Sequence, residues 1–234
     1  VIALIYGSYS TKPVIGVFSK DSACQKAGFE IGDKIIKING KRTRSWDDVT
    51  LRLILANSKK SQVFVLEDKD GNEKTIKVRP AKNKDKDGNV SYSYGIGISD
   101  KKYHGVLNAL KFSTSKFAST FNSMIITIKA LFTGKVGISS LSGPVGIYKI
   151  VGEQSKTGAY GLLYLLAYLS INVGFINLLP FPAFDGYRGL TIIIEKITGK
   201  QINPKVDAIV NNIGLMLLFA LMIFITIKDV IKLF

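Results

Sequence analysis

Hydrophobic residues in the first third of the chain fall into short runs of the kind that form β-strands. The runs lie at residues 14–18, 34–38, 62–67 and 74–78. Turn residues separate them, including Asn39-Gly40 and Asp70-Gly71. Residues 45–55 predict a helix, with Ser45 as its N-cap. Strands arranged around one helix predict a small α+β domain over residues 10–82.

The second half of the chain carries longer apolar runs. Residues 105–132 have apolar side chains near helical spacing, with lysines and asparagines on the opposite side. This pattern predicts an amphipathic helix lying at a membrane interface, and a helix packed on a soluble core has the same period. Residues 158–184 and 208–227 contain no charged side chain. Each run can span a hydrocarbon core about 30 Å thick, so the pattern predicts two transmembrane helices.

The predicted fold is therefore an α+β domain followed by an α-helical membrane domain, consisting of an amphipathic helix plus two transmembrane helices. The charges Lys228, Asp229 and Lys232 are expected to mark the exit of the second span. The expected divisions are 1–9 as the end of an upstream transmembrane helix, 10–82 as the α+β domain, 83–104 as a polar linker with a closing strand at 94–98, 105–157 as a membrane-interface region, and 158–234 as the two-span domain.

The chain of 234 residues is strongly basic, with 32 Lys and Arg against 17 Asp and Glu. The basic residues are interleaved with acids and show no recognisable nucleic-acid-binding motif. We therefore expect no nucleic-acid partner and assign the positive charge to attraction toward the anionic head groups of a lipid bilayer.

The segment NLLPFPAFDG, residues 177–186, places Asp185 at the end of the first long apolar run. A charge in lipid costs about 2.5–3.5 kcal/mol on insertion scales, so such a carboxylate is a functional-site hypothesis. Pro180 and Pro182 each remove an amide donor, which predicts irregular backbone at membrane depth. Asn172 and Asn177, five residues apart, could satisfy the freed carbonyls or face the same cavity as Asp185. The alternative is that Asp185-Gly186 is only a turn closing a transmembrane helix.

This segment resembles the N-x-x-P-x-P-x-L-D-G motif of the site-2 protease family, the intramembrane zinc metalloproteases. Phe184 stands where the family usually has Leu, and Tyr187 follows Gly186 where the family has a second Gly. The resemblance implies that Asp185 is a zinc ligand and that Asn177 positions substrate. It also implies that Pro180, Pro182 and Gly186 shape the broken helix.

A second segment, SGPVGI at residues 142–147, resembles one that precedes this helix in bacterial members, particularly the regulator of sigma-E protease group. These enzymes take two zinc ligands from an H-E-x-x-H helix. The chain has a single His, His104, in a polar junction where a surface position is expected. We therefore expect the 234 residues to be the C-terminal part of a longer protein, inactive without the H-E-x-x-H half.

Residues 23–40 resemble the signature of PDZ domains of the bacterial protease type. The matching positions are Ala23, Ala27, Gly28, Gly32, Asp33, Ile35, Ile36, Ile38, Asn39 and Gly40. PDZ domains bind a peptide as an added strand on a sheet edge. The expected carboxylate-binding loop is Lys12 to Gly16, with Pro13, Val14, Ile15 and Gly16 as candidate peptide-binding residues. The alternative is a domain that acts as a steric filter without a tight peptide ligand.

The resemblance implies an intramembrane zinc protease that cleaves transmembrane proteins, such as anti-sigma factors or signal-peptide remnants. It implies a multi-pass protein of the bacterial cell membrane. The excess of basic residues in a loop at 188–207 places that loop in the cytoplasm and the PDZ-like domain outside it. The alternative function is a non-catalytic, PDZ-bearing membrane adaptor, and a transporter subunit built on broken helices is a third interpretation.

Overall fold

The computed structural model describes residues 1–56, 59–84, 90–137 and 141–231, and the chain divides into two compact units, Val1–Ile126 and Thr127–Phe234. The first unit begins with α1 (Ile2–Tyr6), β1 (Val17–Phe18), α2 (Ala23–Lys26), β2 (Lys34–Ile38), β3 (Lys41–Arg42) and α3 (Trp46–Leu55). It continues with β4 (Gln62–Glu67), β5 (Glu73–Val78), β6 (Ala81–Lys84), β7 (Val90–Ser93), β8 (Ile96–Gly97) and most of α4 (Val106–Phe132). The second unit contains α5 (Pro144–Ser155), α6 (Gly158–Asn177), α7 (Asp185–Thr198) and α8 (Pro204–Ile231).

The main sheet of the first unit has the antiparallel order β3-β2-β4-β5. Asn39 and Gly40 turn β2 into β3 with positive φ angles of 51° and 74°, a conformation that Asn and Gly tolerate. The strands predicted at 34–38 and 62–67 are confirmed, and β5 begins one residue earlier than predicted. The predicted strand at 14–18 is shorter, because only Val17–Phe18 pairs with β8 and Val14 forms an isolated bridge to Lys34.

One hydrophobic core holds the first unit together. Phe64 is fully buried, and its ring packs edge to face on Phe29 at 5.3 Å and on Tyr94 at 5.6 Å between ring centroids. Tyr94 and Ile96 come from the segment predicted as linker with a closing strand. Their packing makes that segment part of the same core. The polar stretch before it forms the hairpin β6–β7, and residues 85–89 of that stretch lie outside the described residues.

Helix α3 begins as the sequence predicts. The Ser45 hydroxyl accepts a hydrogen bond from the Asp48 amide at 3.1 Å, and the Asp48 carboxylate accepts one from the Arg44 amide at 2.8 Å. These two bonds satisfy amides that have no partner within a helix, which fixes the start of α3.

Helix α4 confirms the helix predicted at 105–132. Its polar side contacts the protein as well as solvent. The Lys116 ammonium lies 2.7 Å from the Asp47 carboxylate, and the Asn122 side-chain amide donates a hydrogen bond of 2.7 Å to the Asp48 carboxylate. Ser119 adds a third bond, to Asp47 at 2.5 Å. The polar side of α4 therefore binds α3, while several apolar residues of α4 stay exposed. These are Leu107, Leu110, Phe117, Ile125 and Phe132. Placement of α4 at a membrane interface remains a prediction.

Two helices of the second unit are long and apolar enough to cross a membrane, by length and composition: α6 and α8. Both helices confirm the apolar helices predicted there, and their crossing of a membrane stays a prediction. Helix α6 ends earlier than its uncharged run, and α8 starts earlier and ends later than its own. The loop predicted at 188–207 is wrong in its first part, because α7 continues to Thr198 and ends at Gly199 with φ of 68°. Apolar residues at helical spacing give α7 one hydrophobic side, and the Glu195 carboxylate accepts a bond from the Ile202 amide at 2.8 Å.

Candidate functional site

The apolar helix α6 ends at Asn177 because the residues that follow cannot continue it. The Leu178 amide still donates to Gly174 and Phe175, but Pro180 and Pro182 have no amide to donate. Ala183 takes a positive φ of 79°, a conformation that is uncommon for a residue with a Cβ atom. The irregular backbone predicted around the two prolines is confirmed, and the segment 178–184 separates α6 from α7.

Gly186 allows the start of α7 to lie directly against the end of α6. A Cβ atom built on Gly186 would lie 2.3 Å from the Leu178 carbonyl oxygen and 2.5 Å from the Leu179 carbonyl oxygen. Backbone atoms cannot move aside as the end of a side chain can. Only glycine fits at this position without displacing one helix end from the other, which gives a physical reason for the Gly of the motif.

Helix α8 holds the connecting segment in place. The Asn211 side-chain oxygen accepts a hydrogen bond from the Ala183 amide at 3.0 Å. A Cβ atom on Gly214 would lie 2.5 Å from the Pro182 Cβ, so α8 packs closely on the second proline. Neither residue was predicted to take part, although a polar Asn and a Gly inside an apolar run were visible signals. Asn172, which was expected to help, donates instead to Tyr168 of its own helix at 2.9 Å.

Asp185 is the first residue of α7, so the alternative of a turn closing a transmembrane helix is wrong. The positive end of a helix dipole stabilises a carboxylate at this position. The Asp185 side chain is exposed and accepts no hydrogen bond from any residue that the structure describes. The segment thus presents one carboxylate that has no internal partner and is free to bind a ligand.

Asn177 lies at the same junction as Asp185, since Leu178 and Gly186 follow them and are in close contact. The Asn177 side chain is half-buried and forms no hydrogen bond with the described residues. The five motif residues predicted from the sequence lie along the short connection between the end of α6 and the start of α7: Asn177, Pro180, Pro182, Asp185 and Gly186. Tyr187, where this chain departs from the family pattern, has its pKa raised by partial burial and by the neighbouring Asp207 carboxylate.

The described residues do not make a zinc site by themselves. A catalytic zinc takes three protein ligands and a water. Within the described ranges, no three His, Cys, Asp or Glu side chains are grouped closely enough to hold a metal ion. Asp185 can supply one carboxylate ligand of the kind zinc accepts, and further ligands would have to come from other residues.

Asp229 joins α8 to the SGPVGI segment, a role that the sequence analysis did not foresee. Its carboxylate accepts hydrogen bonds from the Gly143 amide at 2.7 Å and the Gly146 amide at 3.1 Å. Lys228 contacts the other oxygen at 3.1 Å and donates to the Leu141 carbonyl. Asp229 is only 8% exposed, so it has a structural role in addition to its predicted place at the exit of the span, which stays a prediction. Lys232, predicted with them, lies outside the described residues.

The glycines of the SGPVGI segment are explained by this contact. A Cβ atom on Gly143 would lie 2.9 Å from the Ile225 Cγ2, and one on Gly146 would lie 2.9 Å from the Asp229 Oδ2. Glycine lets both amides reach one carboxylate at the start of α5, where backbone amides have no helical partner. Asp229 is therefore a side-chain cap of α5 supplied by α8.

The loop from Lys12 to Gly16 does not offer free amides to a peptide carboxylate. The amides of Val14, Ile15 and Gly16 already donate to Lys12, Asp33 and Gly97, at 2.8, 2.9 and 2.9 Å. Pro13 is buried, and its carbonyl accepts the Ile35 amide at 2.8 Å. These three amides serve the domain core in this structure, and the binding of a peptide carboxylate by the loop stays a prediction.

An open groove of about 720 Å³ lies instead between the β1–β8 pair and α3. Its apolar side chains come from β1, from β8 with the residue two positions before it, and from α3: Val17, Phe18, Trp46, Val49, Leu53, Ile54, Tyr94 and Ile96. An apolar groove beside a short strand pair has the shape that an extended peptide requires.

Comparison with known proteins agrees with the motif. The profile of peptidase family M50 matches residues 1–221. The chain is 36% identical to the zinc metalloprotease RasP of Bacillus licheniformis, over 100% of this chain and 55% of that protein. It is 35% identical to the regulator of sigma-W protease RasP of Bacillus subtilis, over 100% of this chain and 54% of that protein.

The zinc metalloprotease RasP of Geobacillus kaustophilus is 33% identical, over 100% of this chain and 54% of that protein. The chain thus spans about half the length of these curated relatives. The family profile covers nearly the whole chain, including the broken helix that presents Asp185. The chain therefore belongs to peptidase family M50, the site-2 protease family, as the motif predicted.

Proposed function

We propose that this chain supplies the Asp185 ligand and the Asn177 substrate contact of an intramembrane zinc metalloprotease. The observation that carries the proposal is the broken helix after α6, at the end of a candidate membrane span. It carries an exposed carboxylate and a half-buried side-chain amide, and neither forms a hydrogen bond with a described residue. A carboxylate in or beside lipid is costly unless it is compensated, so a cation at this position gives Asp185 a reason to be there.

The chain's own residues fix where that carboxylate lies. Gly186 lets α7 start against the end of α6, and Asn211 holds the Ala183 amide two residues before Asp185. A metal-ligating carboxylate at the first residue of a helix, directly after a hydrogen-bonded turn, loses little conformational freedom when it binds a metal ion. Zinc, when bound, would polarise the carbonyl group of the scissile peptide bond and lower the pKa of a bound water.

Asn177 is suited to hold the substrate backbone. Its side-chain amide has two donors and one acceptor oxygen, and none of them bonds to a described residue. A peptide must be extended to be cleaved, and an extended strand exposes both N–H and C=O groups. Asn177 can pair with both, which keeps the scissile bond next to the metal. The other zinc ligands and the general base come, in this proposal, from residues outside the described part of this chain.

The substrates in this proposal are transmembrane segments, such as those of anti-sigma factors or the remnants of signal peptides. The name of the Bacillus subtilis relative, a regulator of sigma-W protease, supports the first of these. The N-terminal domain is proposed to be PDZ-like and to lie outside the cytoplasm, with residues 188–207 on the cytoplasmic side. It would screen substrates through the groove between α3 and the β1–β8 pair, either by binding a peptide or as a steric filter.

The test is Asp185→Asn in the complete native protein. We expect zinc content, measured by mass spectrometry of the metal, and cleavage of a transmembrane reporter each to fall about a hundredfold, because losing a ligand costs at least as much as losing its supporting partner. Glu153→Gln is the matched control, because Glu153 is an exposed carboxylate on α5. Wild-type zinc content and turnover in Asp185→Asn would refute the proposal. A native protein that binds no zinc would favour the membrane adaptor.

A further inference from the structure

A second cavity in the first unit is separate from the apolar groove beside α3. It has a volume of about 640 Å³ and lies among the segment 8–16, the loop at Ile98 and Ser99, Tyr103, and the first half of α4. Its lining is rich in hydroxyl groups, from Ser8, Tyr9, Ser10, Thr11, Ser99, Tyr103 and Ser115. Thr11 and Ser115 share a hydrogen bond of 2.5 Å, which joins the segment 8–16 to α4.

Positive charge surrounds this cavity. Lys12 and Lys111 line it directly. Lys101 lies over the Tyr103 ring and Lys102 over the Tyr9 ring, each with its ammonium 5.6 Å from the ring centroid. Cation–π contacts of this kind hold the two ammonium groups at the tyrosines that line the cavity.

The four lysines have no counter-charge among the residues that the structure describes. None of them forms an ion pair with a described residue, and no Asp or Glu is among the described residues that line the cavity. Asp100, the acidic residue next to Lys101 in sequence, is exposed and does not line the cavity. Lysines that surround a hydroxyl-lined cavity without a carboxylate favour an anionic ligand that can accept several hydrogen bonds.

Exposed apolar residues lie next to the same cavity. Leu107 and Leu110 of α4 are 72% and 59% exposed and flank the lining residues Asn108 and Lys111 in sequence. Ile31, which lines the cavity, is 55% exposed. A helix with lysines beside exposed leucines is typical of a segment that lies in a membrane interface. A ligand with an anionic head and an apolar tail matches both features at once.

We propose that this cavity binds the head group of an anionic phospholipid, with the acyl chains on the exposed leucines of α4. Lys12 and Lys111 contact the phosphate, and Lys101 and Lys102 add charge at the rim. The hydroxyl groups of Ser10, Ser99 and Tyr103, which donate to no described residue, donate to the phosphate oxygens, whereas those of Ser8, Thr11 and Ser115 are already hydrogen-bonded within the protein. The site would bind the N-terminal domain to the bilayer at a defined place through α4. It is independent of Asp185 and of the zinc proposal.

The test is lipid binding by the intact protein in detergent micelles, measured by native mass spectrometry with phosphatidylglycerol and with phosphatidylcholine. We expect phosphatidylglycerol to bind more tightly. The double variant Lys12→Gln/Lys111→Gln should weaken it about thirtyfold, because each lysine near an anionic membrane surface contributes about a factor of five. The matched control is Lys37→Gln/Lys77→Gln, which removes the same charge from exposed positions on β2 and β5.

A second variant tests the cavity without changing the charge. Ser99→Trp places a large ring in the cavity and should also lose phosphatidylglycerol while circular dichroism shows the fold intact. Equal binding of the two lipids, or an equal loss in the control variant, would overturn the proposal. Displacement of the lipid by millimolar inorganic phosphate would show a site for soluble anions. Displacement by an acidic peptide would show a peptide site instead, and either result would reject the lipid assignment.

Discussion

Removing the Asp229 carboxylate tests whether the end of α8 holds α5 in place. Asp229→Ala deletes two hydrogen bonds, from the Gly143 and Gly146 amides, and leaves Lys228 without its carboxylate partner. A hydrogen bond to a charged group contributes about 1.5–3 kcal/mol, and unpairing a buried ion costs about 3–5 kcal/mol. The two ranges describe the same carboxylate and its partners, so they cannot be added. We therefore expect a loss of about 3 kcal/mol in the free energy of unfolding. Asp229→Asn keeps one acceptor oxygen and should lose about half of that.

Two measurements check this expectation. Unfolding of the protein in mixed micelles gives the change in free energy, with Asp21→Ala as the matched control, because the Asp21 side chain is 73% exposed. Amide hydrogen exchange gives the local effect. The Gly143 and Gly146 amides should be protected in the wild type and should exchange fast in Asp229→Ala. A change within about 0.5 kcal/mol of the control, the usual range for surface substitutions, would refute the reasoning, and so would unchanged protection of both amides.

Three further predictions follow from single residues. Gly186→Ala should destabilise the protein by about 1–3 kcal/mol and abolish reporter cleavage, because its Cβ would meet backbone at 2.3 Å, whereas Gly189→Ala, where no atom lies within 4 Å, should be neutral or slightly stabilising. Similar unfolding curves for the two would contradict this. Burial raises the pKa of the Cys24 thiol to about 12, so a thiol reagent at pH 8 should label it only after unfolding, and stability should fall as pH rises above 9. Native labelling at the denatured rate would contradict this. The hydrogen bond to Asp33 raises the pKa of Lys74 above 10.5, so its stabilisation is present below pH 10.5 and is lost as pH rises through the folded pKa. The difference between wild type and Lys74→Met in unfolding free energy should shrink there, and a constant difference would refute it.

Local patterns predicted the first domain well where one face of a strand or helix is buried. The strands at 34–38 and 62–67 have alternating or continuous apolar residues. Helix α3 has Ser45 before its first turn and Asp48 three positions later. In each case the local preference of the sequence matches the element that the domain core buries. The strand predicted at 14–18 came out short because Ile15 and Gly16 bond to two different partners, Asp33 and Gly97. Which segment each of these two residues bonds to depends on the packing of distant parts of the chain, and a local sequence pattern cannot predict it.

The motif predicted which residues gather at the junction, and it did so through chemistry that acts locally. Proline lacks an amide wherever it stands, so the break after α6 follows from Pro180 and Pro182 alone. The long-range contacts within the second unit were not predictable in the same way. Asn211 reaches Ala183 from 28 positions away, and Asp229 reaches Gly143 from 86 positions away.

By itself, the sequence determined the two kinds of domain, the two candidate spans, the broken helix and the family, because each depends on short-range composition and on residues such as proline that constrain their own backbone. Only the tertiary structure decided that α7 is a helix beginning at Asp185, that α3 binds the polar side of α4, and that Asp229 caps α5. The physical reason is that a buried polar group must find a partner, and which group becomes that partner depends on how the helices pack.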